Sequence, residues 1–160
     1  MKHVWHYDFP RVNLGIIEED GFITDIFFES DVRNNLPQTE ESAPIKRAAD
    51  QLNEYFAGKR SRFDLPVLPS GTAFQKRVWD AVSAIPYGET RTYKEIAVQA
   101  GNPLAARAVG MANNRNPIAI VIPCHRVIGH NGSLVGYGGG LDLKAYLLEL
   151  EKQYKTQNFS

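Results

Sequence analysis

The single cysteine of this chain, Cys124, follows a short apolar run that ends at a proline, and a histidine and an arginine come directly after it. A lone thiol cannot form a disulfide within the chain. Cationic neighbours such as His125 and Arg126 lower the pKa of a thiol and make it a nucleophile. The alternative is a buried structural cysteine, which is what most free cysteines are. The surroundings of Cys124 favour the nucleophile.

A histidine next to a cysteine in sequence needs other groups before it can act as its base. Neighbouring side chains often diverge, so we expect His125 to reach the thiol through a water molecule. An imidazole works best as a base when a carboxylate holds its tautomer and balances its developing charge. Glu151 can supply that carboxylate if the last helix folds over the cysteine segment. From the pattern alone it is equally an exposed glutamate, and Glu149 competes for the role.

Other polar side chains are suited to binding an anionic or planar ligand. Small residues around Arg107 let its helix approach another surface closely, although a solvated arginine is the commoner case. Arg126 has the charge to contact a phosphate, but it too has a solvated alternative. Tyr93, at the start of a predicted helix, and Tyr137, in a glycine-rich loop, either line a pocket for a planar base or simply pack.

Composition limits the class of protein. The chain has 160 residues, 43% of them hydrophobic, enough for one domain or two small ones. No signal peptide and no apolar stretch of about 20 residues is present, so with its lone cysteine we expect a cytoplasmic protein that does not enter membranes. The four histidines lack the spacing of a structural zinc site, and we expect no metal. The net charge is zero, but residues 1–70 are acidic and residues 71–160 basic, which weakly favours a polyanionic partner.

Patterning in the first half predicts a small sheet and one helix. Strands are expected on both sides of a Glu-Asp-Gly turn, then a polar loop, then a helix with one apolar stripe. A short apolar stretch after the helix is a candidate return to the sheet. The predicted elements are strands 14–17 and 22–28, loop 31–42, helix 43–57 and strand 63–65. We place a linker at 66–71, which divides the chain into an N-terminal domain, 1–68, and a second domain, 69–160.

Patterning in the second half predicts mostly helices. Capping boxes open two of them, at Thr72 and Thr92. Asn102 and Pro103 then suit the start of a third helix, which would complete a helix-turn-helix, the geometry that often presents its second helix to DNA. A branched apolar run predicts a short strand over 118–122. The predicted helices therefore begin at residues 73, 93, 103 and 141, and the last ends at about residue 154.

Together these residues resemble a known family, the O6-alkylguanine-DNA alkyltransferases. The resemblance covers the half of the chain from Thr72 to about Glu151, and its most specific part is the Pro-Cys-His-Arg sequence with a helix-turn-helix upstream. Further matching segments are 86–89, 100–103, 105–110, 116–117 and 139–141. The first half resembles only the general layout of the family.

The resemblance implies roles for the residues around the cysteine. Cys124 would be the alkyl acceptor, attacking the carbon on O6 of a damaged guanine in one displacement. His125 would activate the thiol through a water, and Glu151 would orient His125. Asn116 resembles the asparagine that braces the active-site turn.

The resemblance also implies how a damaged base would be held. Tyr93 would hydrogen-bond the ring of the departing guanine, and the backbone at Val127 and Gly138 would contact its edge. Arg107 resembles the finger that fills the gap left by a flipped nucleotide. This fits general physics, since a thiol cannot reach an O6 substituent inside a duplex. Gly138 stands where some relatives carry serine, and the net charge is low for a DNA binder.

From the resemblance we expect an α/β N-terminal domain, a small sheet plus helix, followed by a mainly α, winged-helix-like domain with a helix-turn-helix. The implied function is repair of O6-alkylguanine, and of O4-alkylthymine, in double-stranded DNA by irreversible single-turnover transfer to Cys124. No cofactor is implied, and we expect a monomer. Two alternatives remain: a non-catalytic binder of alkylated DNA, and a cysteine hydrolase using Cys124 and His125. Relatives of the binding type lack the cysteine, and hydrolases usually carry their histidine far away in sequence.

Overall fold

A computed structural model describes residues 1–30 and 36–157 and divides the chain into two compact units. The first contains Met1–Ser70 and Pro117–Ala119, and the second contains Gly71–Asn116 and Ile120–Thr156. The segment Pro117–Ala119, from the second half of the sequence, therefore belongs to the first unit. The predicted division into domains 1–68 and 69–160 stays a prediction about which segments fold together.

The first unit is an antiparallel sheet in the order β1-β2-β3, with one helix on it. The strands are β1 (Lys2–Asp8), β2 (Asn13–Glu19) and β3 (Phe22–Phe28), and the helix is α1 (Ala43–Phe56). Asp20 and Gly21 connect β2 to β3 with φ values of 53° and 89°, the left-handed conformation that a tight hairpin turn requires. Buried side chains of α1, Ile45, Leu52 and Tyr55 among them, form the core between helix and sheet.

The hairpin and α1 lie where the sequence predicts them, but the predicted strand 63–65 is wrong. The contact with the sheet comes two residues later, where Val67 forms an isolated parallel bridge with Ile23. Of the predicted loop 31–42, residues 31–35 lie outside the described residues. The part that is described, 36–42, has no regular structure and is tied to β1 by a hydrogen bond from the Thr39 N–H to the Val4 carbonyl at 3.0 Å.

Pro117–Ala119 adds a short parallel contact to this sheet. Ile118 pairs with Ile26, whose N–H donates to the Pro117 carbonyl at 2.9 Å and whose carbonyl accepts from the Ala119 N–H at 3.0 Å. The predicted strand 118–122 is otherwise wrong. Ile120 has a φ of 71°, rare for a branched residue, and the chain turns there instead of continuing as a strand.

The second unit is mainly helical. Its elements are α2 (Ala73–Ser83), β4 (Arg91–Thr92), α3 (Tyr93–Gln99), α4 (Ala106–Asn114), a 3₁₀ turn (Cys124–Arg126), β5 (Val127–Ile128) and α5 (Leu141–Tyr154). Both predicted capping boxes form, with the hydroxyls of Thr72 and Thr92 each accepting from a backbone N–H three residues later at 3.1 Å. β4 and β5 pair in parallel, which places the residues after the 3₁₀ turn beside the start of α3.

The helix-turn-helix is formed by α3 and α4, but the predicted start of its second helix is wrong. We predicted a helix from residue 103, whereas α4 begins at Ala106. The reason is local. The Asn102 side chain accepts from the Leu104 N–H at 3.1 Å and its carbonyl accepts from the Ala105 N–H at 3.0 Å, so this asparagine organises a turn before the helix rather than capping it.

Candidate active site

Cys124 is the first residue of the 3₁₀ turn, immediately after Pro123, and only 6% of it is exposed. Its N–H donates to the Ile122 carbonyl at 2.8 Å, and the same carbonyl accepts from Asn116 Nδ2 at 2.7 Å. The Asn116 amide also hydrogen-bonds the sulfur. Asn116 therefore contacts both the Ile122 carbonyl, two residues before the turn, and the thiol itself.

Burial raises the pKa of the Cys124 thiol above its ordinary value of 9.0. The hydrogen bond from Asn116 and the positive charge of Lys144 lower the pKa only in part. The sequence-based prediction that His125 and Arg126 lower it as cations is wrong, because both side chains are directed at a carboxylate instead. The resting cysteine is a neutral thiol that needs a base.

His125 is completely buried and pairs with the equally buried Glu151. His125 Nε2 lies 2.6 Å from Glu151 Oε2. Burial alone raises the pKa of Glu151, but the hydrogen bond from His125 and the charge and hydrogen bonds of Arg126 outweigh burial and hold it well below its usual range. Because the carboxylate is ionised, it accepts the Nε2 proton, and the lone pair of the imidazole is on Nδ1. Burial lowers the His125 pKa against the opposing effect of Glu151, so the imidazole is a neutral base.

Arg126 completes this buried group. Its Nε donates to Glu151 Oε1 at 2.7 Å, its Nη2 to Oε2 at 3.1 Å, and its Nη1 to the Ile85 carbonyl at 2.7 Å. The Gly88 N–H gives Oε1 a further bond at 3.1 Å. The prediction that Arg126 binds DNA is wrong, since it is 6% exposed and its guanidinium is engaged inside the protein. The open choice between two glutamates is resolved as well, because Glu149 is exposed.

Tyr93 and Tyr137 both lie within electrostatic range of the cysteine. Burial raises the pKa of each phenol, and the charge of an ionised Cys124 raises it further. The Tyr93 hydroxyl donates to the Val135 carbonyl at 3.0 Å. The Tyr137 ring meets the His125 ring edge-on, with centroids 6.4 Å apart. Both tyrosines therefore belong to the same site as the thiol.

Lys144 is a site residue that the sequence analysis missed. It is completely buried, and its Nζ donates to the Val127 carbonyl at 2.6 Å and to the Val135 carbonyl at 2.9 Å. One ammonium thus links β5 to the glycine-rich loop that carries Tyr137. The spacing contained the signal, because Lys144 precedes Glu151 by seven residues, two helical turns on the same face of α5.

The other residues predicted to contact a ligand are Val127 and Gly138, through their backbone atoms, and Arg107, through its side chain. Val127 is buried in β5, directly after the 3₁₀ turn, and its carbonyl already accepts from Lys144. Gly138 is exposed in the loop before α5. Arg107 is exposed in the first turn of α4 and is not part of the buried group around the thiol.

Within residues 1–30 and 36–157, no group of three or more His, Cys, Asp or Glu side chains has the arrangement to hold a metal ion. No helix in the same residues combines the length and the apolar character needed to cross a membrane.

Two family models match successive parts of the chain. The ribonuclease-like domain of 6-O-methylguanine DNA methyltransferase matches residues 5–69, and the DNA binding domain of the same family matches residues 73–153. Similar curated proteins are named methylated-DNA–protein-cysteine methyltransferase. The one from Methanosarcina acetivorans is 53% identical over 136 residues, 84% of this chain and 87% of that protein. The one from Mycobacterium tuberculosis is 60% identical over 114 residues, 71% and 69% of the two chains.

Solved structures agree with the sequence matches. The crystal structure of the Mycobacterium tuberculosis O6-methylguanine methyltransferase superposes with a TM-score of 0.89 at 46% identity, covering 99% of this chain and 97% of that one. A structure of the Mycobacterium tuberculosis protein in complex with DNA gives 0.89 at 48% identity, covering 95% and 94%. The predicted fold class and the resemblance are confirmed. This chain belongs to the 6-O-methylguanine DNA methyltransferase family.

Proposed function

We propose that the protein is a methylated-DNA–protein-cysteine methyltransferase that repairs O6-alkylguanine in duplex DNA by moving the alkyl group to the sulfur of Cys124. The observation that carries the assignment is the buried pairing of His125 with Glu151 beside the chain's only thiol. A neutral imidazole next to a protonated cysteine can take the thiol proton as the sulfur attacks an electrophile.

The transfer balances with no group other than the two reactants. The sulfur electron pair forms an S–C bond to the alkyl carbon, and the C–O6 bond breaks with its electrons going to the guanine ring. The proton leaves the thiol for Nδ1 of His125, through a water, and an equivalent proton ends on the dealkylated guanine, which stays in the DNA. The products are a thioether and normal guanine. Water does not readily cleave a thioether, so each chain reacts once.

Glu151 and Asn116 support this step without touching the alkyl group. Glu151 holds the His125 tautomer with its lone pair on Nδ1 and offsets the positive charge that the imidazole gains. Asn116 hydrogen-bonds the sulfur, which stabilises the thiolate as it forms. The positive charge of Lys144 also favours the thiolate of Cys124.

The lesion must leave the duplex to reach a thiol this deeply buried. We assign Arg107 to the gap that the flipped nucleotide leaves, because it is exposed on the second helix of the helix-turn-helix. Tyr93 would bond the guanine ring and offset the charge that develops on it, exchanging its present bond to Val135 for one to the base. Tyr137 would line the pocket, and the backbone of Val127 and Gly138 would contact the base edge.

Finer parts of the function rest on the same chemistry. O4-alkylthymine carries the same kind of alkyl carbon on an exocyclic oxygen, so we include it as a substrate. One chain holds all the groups that the transfer uses, so we propose that it acts as a monomer. The reaction consumes a reduced thiol, which suits the cytoplasm.

A labelled substrate tests the assignment. With duplex DNA carrying labelled O6-methylguanine, we expect the label to move to the protein and to saturate at about one methyl group per chain, because the thioether is stable. Cys124→Ser should accept none while keeping the wild-type midpoint of urea unfolding. Binding without transfer would instead indicate a recognition protein, and continued release of a labelled product would indicate a hydrolase.

The pH dependence of the transfer should reflect the neutral pair. We expect the rate with free O6-benzylguanine, measured from about pH 5 to about pH 10, to hold as pH falls through 6.5, because burial lowers the His125 pKa below that ordinary value. Above pH 9.0, the ordinary value for a thiol, the rate should still be rising, because burial raises the Cys124 pKa. A midpoint at 6.5 in the acid limb would contradict a buried, neutral His125.

A further inference from the structure

Asn113 is a buried polar residue that the assigned chemistry does not use. It lies in the last turn of α4 and is 2% exposed. Its Nδ2 donates to the Cys124 carbonyl at 3.2 Å. Because a carbonyl can only accept, this bond fixes which end of the amide faces the 3₁₀ turn. Asn113 therefore ties α4 directly to the residue that carries the thiol.

The same amide meets Tyr93. The Tyr93 ring lies against α4, since a methyl group in place of a Gly110 hydrogen would lie 3.8 Å from Tyr93 Cε1. Asn113 follows Gly110 by three residues and so shares that face of the helix. Burial and the charge of an ionised Cys124 raise the pKa of the Tyr93 phenol, and a hydrogen bond from the Asn113 side chain lowers it. A contact that lowers the pKa of a phenol donates to its oxygen, so Nδ2 serves both Tyr93 and the Cys124 carbonyl.

The other end of the Asn113 amide is unsatisfied. Its Oδ1 is buried and accepts no hydrogen bond from any residue within 1–30 and 36–157. A buried acceptor of this kind destabilises a fold, so packing alone does not explain an asparagine here. Residues that break such a rule are expected at functional sites, which indicates a role for this amide in the reaction.

The contact leaves the hydrogen of the phenol available to a substrate. The Tyr93 hydroxyl now donates that hydrogen to the Val135 carbonyl at 3.0 Å. Because Asn113 bonds the phenol oxygen, its contact persists when the hydrogen turns to a guanine ring. Hydrogen bonds in a chain polarise one another, so donation to the oxygen makes the phenol a stronger donor. The gain is largest as the breaking C–O6 bond places negative charge on the ring.

We propose that Asn113 is a positioning residue for the transfer, which holds Tyr93 beside the Cys124 backbone and strengthens its hydrogen bond to the departing guanine. The inference rests on the proposed function, because it requires guanine as the leaving group. Asn116 then acts on the nucleophile, whereas Asn113 acts on the leaving group. Its effect should therefore pass through Tyr93 and not through the thiol.

A double-mutant cycle separates these two routes. We expect Asn113→Leu, which keeps a similar volume, to slow the reaction with free O6-benzylguanine about tenfold, the scale of one hydrogen bond. In a Tyr93→Phe background the same change should slow it by less than about twofold, because the phenol is absent. The rate of thiol alkylation by iodoacetamide should stay close to the wild-type value, since iodide leaves without a hydrogen bond. Asn53→Leu, at an exposed position of α1, is the matched control and should change neither rate.

The pKa of Tyr93 tests the contact without any alkyl transfer. It can be followed by NMR titration of isotope-labelled tyrosine, with Tyr93→Phe identifying the signal. We expect Asn113→Leu to raise this pKa, because the phenolate loses a hydrogen-bond donor. Asn113→Ala removes the amide without adding bulk and should give the same rise and the same rate pattern, even if leucine prevents folding.

Three results would overturn the proposal. An unchanged Tyr93 pKa in both Asn113 variants would show that the amide does not act on the phenol. Equal losses of rate in the wild-type and Tyr93→Phe backgrounds would place the effect elsewhere in the site, and an equal loss with iodoacetamide would place it at Cys124. A wild type that transfers no alkyl group, while its Tyr93 pKa still responds to Asn113→Leu, would contradict the proposed function and leave the contact itself established.

Discussion

Glu151→Gln is expected to slow alkyl transfer by about a hundredfold or more, because general-base catalysis commonly contributes that much. The amide has the shape of the carboxylate but brings an NH₂ group to face donors of His125 and Arg126, and it no longer fixes the proton on Nε2. The positive charge of Arg126 is then buried without its counterion. Removing one partner of a buried pair costs about 3–5 kcal/mol of unfolding free energy, so the variant should also be less stable.

Glu149→Gln is the matched control for this prediction. It makes the same chemical change on the same helix, two residues away, at an exposed position. It should leave both the transfer rate with O6-benzylguanine and the urea midpoint close to the wild-type values, because exposed ion pairs contribute little. If the two variants behave alike, the buried carboxylate has no special role.

Lys144→Met should produce the second largest effect. Methionine fills a similar volume but donates nothing, so the buried Val127 carbonyl loses its 2.6 Å bond. An unsatisfied buried group of this kind costs about 1–3 kcal/mol. The variant should also slow the transfer, since the Lys144 charge favours the thiolate of Cys124, and the alkaline limb of its pH–rate profile should move to higher pH.

The pH profile separates a positioning role from a purely structural one. Lys144→Arg keeps a cation and should restore the alkaline limb in part, even if the larger group lowers stability. Lys152→Met, at an exposed position of α5, is the control and should match the wild type. A Lys144→Met variant that loses stability yet keeps the wild-type pH profile would show that the lysine acts on packing alone.

The parts of the fold that the sequence predicts correctly are those fixed by local interactions. The starts of α2 and α3 depend on capping boxes that lie entirely within four residues each. The bounds of α5, Leu141–Tyr154, follow from its periodic apolar face. The start of α4 was not predictable in this way, because Asn102 suits both a helix cap and a turn, and only neighbouring contacts choose between them.

The candidate site is likewise predictable only in its local features. The residue type and the neighbours of Cys124 predict a nucleophile, but adjacency in sequence does not say where a side chain points. Arg126 was therefore assigned to DNA, although it lies buried on Glu151. Lys144 was missed because lysines are almost never fully buried. The pKa of the Cys124 thiol depends on its complete burial, which is a property of the packed fold and not of the residues adjacent in sequence.

Pro117–Ala119 sets a limit on how this protein can be cut. Those three residues belong to the first unit, while the sequence on both sides of them belongs to the second. A fragment that stops at Ser70 would leave the N–H and carbonyl of Ile26 without the bonds they make to Pro117 and Ala119. It would also leave an open sheet edge there, ready to recruit other strands. Deletion, permutation or split-reporter designs should therefore keep Pro117–Ala119 together with the first unit, although the two are far apart in the sequence.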